Sequence, residues 1–414
     1  MTPPPNKPTG ASAKSRRTGL WLIGARGSIS TCVAYGTAGL QRGSIDPVGI
    51  ATEVEPLSGL DLVSFDNLVL GGHDVCRRDL SHSAGELVQA GVLSADLVTG
   101  ASAEAAAFAA RIKPGLLDGP DVGFADLDPR TTALSALSPR EQVAHLIRDW
   151  ESFEEENQLK RTVVVYVAST EAVRASEPEW EQLELFEEAL DQGKAMPASV
   201  LYAYAAISSG RPFVNFTPSL GARLPALRQL AIRQGVPHCG NDGKTGETLM
   251  KTVLAPMFKH RALKVLSWQG YNMLGNRDGE VLRSEAHRQA KIQNKDESLR
   301  SILGDRSDLH SMVGIDFVPS LGDWKTAWDF VHFEGFLGAR MTLQFTWSGS
   351  DSALAAPLVL DLVRLTEYAA MKKEVGEMSH TACFFKDPIA GGTHDFHRQF
   401  MMLVEYAASH GALG

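Results

Sequence analysis

The sequence is short of cysteine, and the few cysteines it has stand far apart. Its 414 residues include only Cys32, Cys76, Cys239 and Cys383, and no two of them form a CxxC pair. Zinc clusters usually need such close pairs, and disulfide scaffolds need a denser supply of cysteine. We therefore predict no metal site and no disulfide framework, and a cytoplasmic location is the simplest expectation.

Long apolar runs and a surplus of positive charge are also missing. No stretch reaches the roughly 18 apolar residues of a membrane-spanning helix, and the net charge is −9. Nucleic-acid-binding surfaces usually need a basic surplus. We therefore expect no membrane and no nucleic acid among the partners. The opening segment, residues 1–17, lacks an apolar signal core and is typical of a disordered tail.

The sequence does contain a repeated alternation of β-branched runs and helix-forming segments. Residues 20–23 are an apolar run that ends at "GARGS" and precedes a helix-compatible segment, which predicts a strand, a glycine turn and a helix. We expect a second strand over residues 47–54 and a buried parallel strand in "RTVVVYVAST". After about residue 250, longer segments with polar alternation indicate a second, sheet-rich unit. The predicted fold class is α/β.

The "GARGS" turn is a fragment of the dinucleotide-binding fingerprint, with Gly24 and Gly27 as its glycines. Such glycines let the backbone approach a pyrophosphate at a helix N-terminus, although a plain tight turn is the alternative. An acid that binds the ribose is expected about 20 residues further on. Glu53 and Glu55 are candidates by position, and Asp74 is a candidate because it follows two glycines in what we interpret as a loop.

The segment "GNDGKTGETLMKT" combines three glycines, a lysine and a threonine before a predicted helix. This composition resembles an anion-binding loop. It is not a Walker A loop, because His238 stands where that pattern needs a glycine. The alternative is an ordinary capped helix start, with Thr245 or Asp242 as the cap. Both interpretations stay open.

Further polar residues follow strands or begin helices in the second half of the chain. Asn272, Asn276 and Asp278 lie within seven residues in "YNMLGNRD" and suit either a simple turn or the hydroxyl groups of a sugar. Lys386 follows two phenylalanines, an unusual setting for a surface lysine. The other candidates of this kind are Asp323, Lys325, Asp351 and Ser352.

The segment "AKIQNK" carries two lysines, Lys291 and Lys295, within flanks rich in helix formers. Four residues are about one helical turn, so the two side chains would project from the same face. An exposed, solvated face is the ordinary interpretation. A site that concentrates positive charge is the other.

These motifs, in this order, resemble the myo-inositol-1-phosphate synthase family. The likeness runs from about Gly19 to Pro388 and rests on "GNDGKTGETLMKTVLAPMF", "GYNMLGNRDG", "KIQNK", "GDWK", "SDSALAAPLVLDL" and "FFKDP". It implies a Rossmann-type NAD-binding domain over residues 18–246 plus 352–414. Residues 247–351 would form an inserted, sheet-rich α+β domain for catalysis and oligomerisation. The resemblance also implies a homotetramer.

The same resemblance implies NAD as the cofactor and a hexose 6-phosphate as the substrate. The residues that would hold NAD are Gly24, Gly27, Ser28, Ile29, Asp74, Ala168, Ser169, Thr170, Asp242, Gly243, Asp351 and Ala355. The residues that would bind the substrate are Thr245, Gly246, Asn272, Asn276, Asp278 and Ser352. The catalytic residues would be Lys291, Lys295, Lys325, Lys386 and Asp323.

The family's chemistry explains why four lysines would converge. Its members oxidise C5 of a hexose 6-phosphate with NAD, remove a proton from C6, close the ring by an intramolecular aldol step and return the hydride. Each step develops negative charge on oxygen beside a phosphate, and fixed ammonium groups stabilise such charge. The resemblance implies Lys291 and Lys325 at the C5 oxygen and proton transfer. Lys295 and Lys386 would act at the phosphate and the acceptor carbonyl.

Several departures from the family pattern leave the substrate open. Asn241 stands where a second acid is usual, Arg277 lies within the sugar-facing turn, and Asp296 replaces a small hydroxyl residue. Fructose 6-phosphate is therefore an alternative substrate, and would give a five-membered ring. Two other hypotheses are a simple NAD-dependent sugar-phosphate dehydrogenase and a non-catalytic sugar-phosphate sensor. Retention of all four lysines counts against the sensor.

Overall fold

The computed structural model describes residues 16–118, 126–275, 299–304, 306–390 and 392–412. Of the predicted tail, only Arg16 and Arg17 belong to this part, and the Arg16 side chain donates to the carbonyl of Asp61 at 2.7 Å. All four cysteines are free thiols. Within the described residues, no helix combines the length and the apolar character that crossing a membrane requires.

Seven short strands form the larger sheet, and all of its pairings are parallel. These strands are β1 (Thr18–Ile23), β2 (Leu68–Asp74), β3 (Ile112–Pro114), β4 (Arg161–Tyr166), β5 (Phe213–Asn215), β6 (Pro237–Gly240) and β11 (Gly376–Glu377). Their order in the sheet is β11-β6-β5-β4-β1-β2-β3. The order reverses between β1 and β4, as in doubly wound dinucleotide-binding sheets. The predicted α/β class and Rossmann-type sheet are confirmed.

The described helices cover both faces of this sheet or lead to the second one. Their bounds are α1 (Ser28–Gln41), α2 (Leu80–Gln89), α3 (Ala95–Gly100), α4 (Ser102–Ala110), α5 (Pro129–Ser135), α6 (Pro139–Asn157), α7 (Leu183–Asp191), α8 (Ala198–Ser208), α9 (Pro225–Gln234), α10 (Glu247–His260), α11 (Asp351–Met371) and α12 (Phe396–Ser409). Strand β1 shows why both faces need cover. Leu20 and Leu22 enter one apolar core, whereas Trp21 and Ile23 enter the other. A central parallel strand buried on both faces therefore needs apolar residues throughout.

A second, mixed sheet follows α10 and ends where α11 begins. Its strands are β7 (Lys264–Leu274), β8 (His310–Phe317), β9 (Trp324–Glu334) and β10 (Arg340–Ser350), in the order β10-β9-β7-β8. Phe258 of α10 packs with Trp268 and Val331 on one face of this sheet. The other face leaves Tyr271 and Trp328 partly exposed. This arrangement agrees with an inserted sheet-rich unit, and the exact domain boundaries stay predictions.

The expected strand over residues 47–54 is wrong. Part of this segment is a short 3-10 helix, Ala51–Glu53, in which the backbone amides of Ala51 and Thr52 donate to the carboxylate of Asp361 at 2.9 Å each. The Asp361 side chain, on α11, thus accepts the hydrogen bonds of backbone amides that would pair with a neighbouring strand if this segment were a β-strand. The second strand of the sheet is β2, so the expected loop before Asp74 is also wrong.

Candidate active site

The glycine turn after β1 needs glycine at its first position. Gly24 has a φ of +91°, and a Cβ there would lie 2.8 Å from Cα of Ala168. The amides of Gly24 and Ala25 donate to the carbonyl of His73 at 2.9 and 3.1 Å. The turn is therefore pressed between the ends of β2 and β4, where a side chain at residue 24 would not fit.

Helix α1 begins in a way that suits a bound anion. Gly27 is its N-cap residue, and among the described residues no side chain caps this end and no acid lies in the first turn. The first amides of a helix have no partner within the helix and carry a partial positive charge. Ser28 and Ile29 therefore present backbone donors of the kind that hold a pyrophosphate. This feature fits the predicted NAD site.

Asp74 is the ribose-binding candidate that the fold favours. It ends β2, and its carboxylate accepts from the amide of Arg26 at 2.7 Å and from the amide of Cys76 at 2.8 Å. Burial raises the pKa of Asp74 above its usual value. Glu53 instead forms an ion pair with Arg364 at 2.8 Å. Glu55 is exposed and lies just after the 3-10 helix, before the start of β2. The glycine turn and Asp74 are thus joined directly through Arg26.

The remaining predicted cofactor residues lie at the ends of other elements. Ala168, Ser169 and Thr170 follow β4, and the backbone of Ala168 touches the glycine turn. Asp351 is the first residue of α11, and Ala355 is buried one turn later. Their contact with a cofactor stays a prediction.

The loop after β6 is held by the segment "FFKDP". The amide of Asn241 donates to the carbonyl of Asp387 at 2.9 Å, and the amide of Lys244 donates to the carbonyl of Phe384 at 2.8 Å. At Gly243, a Cβ would lie 2.1 Å from the ring of Phe216. Two segments about 140 residues apart in the chain therefore form one backbone ladder, and this ladder places the lysine of "FFKDP" beside the loop.

Two of the predicted catalytic lysines contact this loop or its neighbours. Lys386 Nζ lies 2.8 Å from Asp242 Oδ1. Lys325 Nζ lies 3.4 Å from both carboxylate oxygens of Asp351, and Thr245 Oγ1 donates to Asp351 Oδ1 at 3.1 Å. Residues from the larger sheet, the smaller sheet and α11 thus meet along residues 242–246.

The start of α10 is a second open helix N-terminus. Gly246 is its N-cap residue, and no described side chain caps it. A Cβ at Gly246 would lie 3.2 Å from Lys325 Nζ. The alternative of a cap by Thr245 or Asp242 is wrong, because these side chains bond to Asp351 and Lys386 instead. The partial positive charge of a helix N-terminus beside an ammonium group forms a suitable place for a phosphate.

Asp323 holds the end of β10 against the start of α11. Its carboxylate accepts from Ser350 Oγ at 2.5 Å and from Ser352 Oγ at 2.7 Å. Burial raises the pKa of Asp323 above its usual value. Asp323 lies two residues before Lys325, so these hydrogen bonds help to fix the strand that carries the lysine. The serine that we predicted to bind substrate therefore already bonds to the predicted catalytic acid.

Four predicted residues lie outside the described part of the chain, namely Asn276, Asp278, Lys291 and Lys295. Their roles stay predictions. Sequence reasoning also missed several buried charged groups near the loop, namely Lys244, Glu247, Lys251 and Asp329. Burial lowers the pKa of Lys244 to about 8, and its Nζ lies 2.6 Å from Gln399 Oε1. The four-residue spacing of Glu247 and Lys251 in "GETLMK" was a readable signal, because such pairs meet on a helix.

The fold and these contacts define a class of protein. An uncapped glycine turn lies at the reversal point of a doubly wound sheet, and a second uncapped helix start lies beside ammonium groups. The first feature suits a dinucleotide and the second suits an anionic substrate. The protein is thus an enzyme that uses a dinucleotide cofactor.

Comparisons with known proteins place the chain within that class. It belongs to the myo-inositol-1-phosphate synthase family, whose sequence model matches residues 49–407. This is an NAD-binding family of isomerase-type enzymes, and NAD is the cofactor of this chain. The predicted family, fold and cofactor are therefore confirmed.

Individual relatives agree with this assignment. Inositol-3-phosphate synthase 1 of Bacteroides thetaiotaomicron is 32% identical over 402 residues, which cover 92% of this chain and 91% of that protein. Inositol-3-phosphate synthase isozyme 1 of Arabidopsis thaliana is 31% identical, and the match spans 82% of this chain but only 64% of the plant protein. The crystal structure of inositol-3-phosphate synthase from Caenorhabditis elegans shares the fold, with a TM-score of 0.83 at 22% identity, over 96% of this chain and 86% of that one.

Proposed function

We propose that the chain converts glucose 6-phosphate to a myo-inositol phosphate without net oxidation or reduction. The observation that carries this proposal is the meeting of Lys325 and Lys386 along one loop, each with a carboxylate partner, beside the open start of α10. Binding of a phosphate alone would not require all four of the lysines that the family resemblance implies, two of which are Lys325 and Lys386. A reaction that builds up charge on several oxygens uses them all. A cytoplasmic location fits the four free thiols.

We assign the phosphate of the substrate to the open start of α10. Thr245 and Gly246 supply the turn, and the ammonium group of Lys325 lies beside it. A dianion there interacts with helix amides and a fixed cation together. Asn272, Asn276, Asp278 and Ser352 are proposed to hold the sugar hydroxyls.

The lysines are proposed to stabilise charge on the sugar oxygens. NAD, which the glycine turn at Gly24 and the carboxylate of Asp74 would hold, would supply the acceptance of a hydride from C5 and its later return. Lys325 and Lys291 hold the C5 oxygen and exchange its proton, whereas Lys386 and Lys295 neutralise the phosphate and the acceptor carbonyl. The carboxylates of Asp351 and Asp242 orient Lys325 and Lys386 through ion pairs. A well-placed donor of this kind is typically worth about 3 kcal/mol of barrier.

Incubation with NAD and either glucose 6-phosphate or fructose 6-phosphate, followed by product analysis, tests this proposal. The expected result is a cyclic inositol phosphate from glucose 6-phosphate, with catalytic NAD and no accumulation of NADH absorbance. If only fructose 6-phosphate reacts, and it gives a five-membered cyclitol phosphate, then fructose 6-phosphate and not glucose 6-phosphate is the substrate. Stoichiometric NADH would instead indicate a simple dehydrogenase.

We also propose that the chain assembles as a homotetramer through its smaller sheet. The face of this sheet opposite α10 carries Tyr271, Met312 and Trp328, which are 39%, 56% and 41% exposed. Large apolar side chains exposed on one sheet face are typical of an interface between subunits. Phe336 and Leu337, at the β9–β10 connection, are also exposed, at 89% and 88%.

A further inference from the structure

A cluster of charged side chains is fully buried between α10 and the smaller sheet. Lys251, Glu247 and Asp329 are each at most 1% exposed. Lys251 Nζ lies 2.7 Å from Glu247 Oε1, and Trp268 Nε1 donates to Asp329 Oδ1 at 2.7 Å. The free-energy cost of burying a charged side chain is offset when that side chain has an oppositely charged partner. Removal of one partner leaves a buried, uncompensated charge, which is costly. This cluster is therefore a specific arrangement and not a chance contact.

The backbone of β7 leaves room for the cluster at Gly270. A Cβ at this position would lie 2.1 Å from Glu247 Oε1, 3.1 Å from Asp329 Oδ1 and 3.2 Å from Lys251 Nζ. The three charged groups therefore converge on one spot beside the strand, which only glycine can leave open. Their positions relative to β7 are consequently well defined.

The carboxylate of Glu247 is the nearer of two acceptors that orient one amide in β7, the other being the carbonyl of Gly314 at 3.5 Å. Asn272 Nδ2 donates to Glu247 Oε2 at 2.7 Å. A carboxylate can only accept hydrogen bonds, so Asn272 must turn its NH₂ group toward Glu247. The Oδ1 of Asn272 is buried and has no partner among the described residues. A buried acceptor without a donor is costly, so this oxygen is suited to a donor from a ligand.

Asn272 lies on the same face of the sheet as Lys325. In the register of β7 and β9, Asn272 is opposite Ala327 and Leu274 is opposite Lys325. Residues two apart on a strand share a face, so Asn272 belongs to the row that contains the proposed catalytic lysine. Glu247 directly follows Gly246, where a Cβ would lie 3.2 Å from Nζ of that lysine. The oriented amide is thus next to the proposed substrate site.

We propose that Glu247, held by Lys251, is a positioning residue that presents Asn272 Oδ1 as the acceptor for a hydroxyl group of the sugar phosphate. This inference rests on the proposed function and adds a requirement to it. The ligand must carry a hydroxyl donor at this point, and the amide must not rotate. Glu247 and Lys251 contact no substrate themselves, and they act through Asn272.

Exchange of the donor and the acceptor tests the proposal. In Asn272→Asp two carboxylates face each other, and in Glu247→Gln the amide of Asn272 loses its charged acceptor and keeps only the longer contact to the carbonyl of Gly314 at 3.5 Å. In the double variant, the new glutamine donates to the new aspartate, whose other oxygen remains an acceptor, and the net charge beside Lys251 is unchanged. We expect each single variant to raise KM for the hexose 6-phosphate by about tenfold, as loss of one hydrogen bond between the sugar hydroxyl and the protein implies. We expect the double variant to recover to within about threefold of wild type, with KM for NAD unchanged throughout.

The controls separate a loss of orientation from a loss of structure. Gln142→Glu changes a buried amide to a carboxylate on α6, which carries none of the proposed site residues, and should leave both KM values unchanged. Thermal unfolding of all variants identifies any that fail to fold. A double variant as impaired as the two singles combined would overturn the proposal, because a merely structural role predicts additive damage.

Calorimetric binding of each hexose 6-phosphate to the NAD-loaded protein distinguishes the two possible failures. If the wild-type protein binds the sugar phosphate but does not cyclise it, the proposed function is wrong. The positioning role would then be judged on the affinities of the four proteins, where recovery in the double variant supports it. A wild type that binds neither sugar would overturn both.

Discussion

Lys386 and Asp242 are joined twice, although they are far apart in the chain. The Lys386 ammonium lies 2.8 Å from Asp242 Oδ1, and the Lys386 amide donates to the Asp242 carbonyl at 2.6 Å. Asp242 itself has a φ of +63°, in the left-handed region that non-glycine residues seldom adopt. The backbone hydrogen bond fixes the position of the Lys386 main chain, and the ion pair fixes the position of its ammonium group. The loop after β6 and the segment "FFKDP" therefore form one unit.

Replacement of Lys386 by methionine tests whether this unit is catalytic. Lys386→Met keeps most of the apolar stem and the backbone ladder but removes the charge. We expect kcat for cyclisation to fall by about 100-fold or more, the usual effect of the loss of one fixed donor to a developing charge. Lys259→Met is the matched control, because Lys259 is exposed in the last turn of α10. Equal activity of the two variants in a product assay would contradict the assignment of Lys386.

The glycine turn permits a test of the cofactor site. Gly24→Ala places a methyl group 2.8 Å from Cα of Ala168 at a φ of +91°. We expect a loss of about 1–3 kcal/mol in unfolding free energy from this strain, and a marked loss of NADH affinity as the turn shifts. Gly36→Ala is the control, since Gly36 lies within α1 and a Cβ there meets nothing within 4 Å.

The control variant Gly36→Ala should change the unfolding free energy in the direction opposite to Gly24→Ala. Alanine in a helix interior is favoured over glycine by about 0.5–1 kcal/mol, so Gly36→Ala should be slightly stabilising. NADH titration by fluorescence and urea unfolding measure both properties. Unaltered NADH binding by Gly24→Ala would show that the turn does not hold the cofactor.

Sequence reasoning succeeded where local pattern decides the structure. The run "RTVVVYVAST" indicated β4 because a strand buried on both faces has to be apolar along its length, and Val163, Val164 and Val165 are fully buried. It failed at residues 47–54, where Asp361 takes the backbone amides of Ala51 and Thr52. No local pattern reveals a carboxylate about 310 residues away.

The same distinction applies to the candidate site. The local motifs "GDWK" and "FFKDP", together with the family resemblance, identified Lys325 and Lys386 as candidates, but not the carboxylates with which each of them pairs. Glu247 and Lys251 have the spacing of an ordinary exposed ion pair, and only the packing of α10 on the smaller sheet buries them completely. Burial depends on tertiary contacts, which the sequence spacing of Glu247 and Lys251 does not reveal. The positioning role that we propose for Glu247 depends on that burial.

Glu171 is expected to make stability depend on pH. Burial and the neighbouring Asp118 raise its pKa from 4.5 to about 7, although Ser199 and Tyr166 donate to its carboxylate. An acid with a raised folded pKa stabilises the fold most below its unfolded pKa. That contribution is lost as the pH rises from 4.5 to about 7, by about 3 kcal/mol in all.

Glu171→Gln removes this titration while it keeps an acceptor for the Ser199 amide. The stability of wild type relative to the variant should therefore fall between pH 4.5 and 7, and then remain level. Urea unfolding at several pH values measures this difference. A constant difference across that range would mean that Glu171 titrates normally in the folded protein.

Trp328 tests the proposed assembly through the smaller sheet. Its side chain lies beside Tyr271 on the adjacent strand, on the face opposite Lys325 and Asp329. A lysine there would have to lose its hydration in an interface, which costs several kcal/mol for an unpaired charge. We expect Trp328→Lys to sediment as a smaller species than wild type while it keeps the wild-type circular dichroism spectrum. Ile232→Lys is the control, because Ile232 is 67% exposed on α9, far from this sheet in the chain. A monomeric wild type, or a Trp328→Lys variant that assembles like wild type, would contradict assembly through this face.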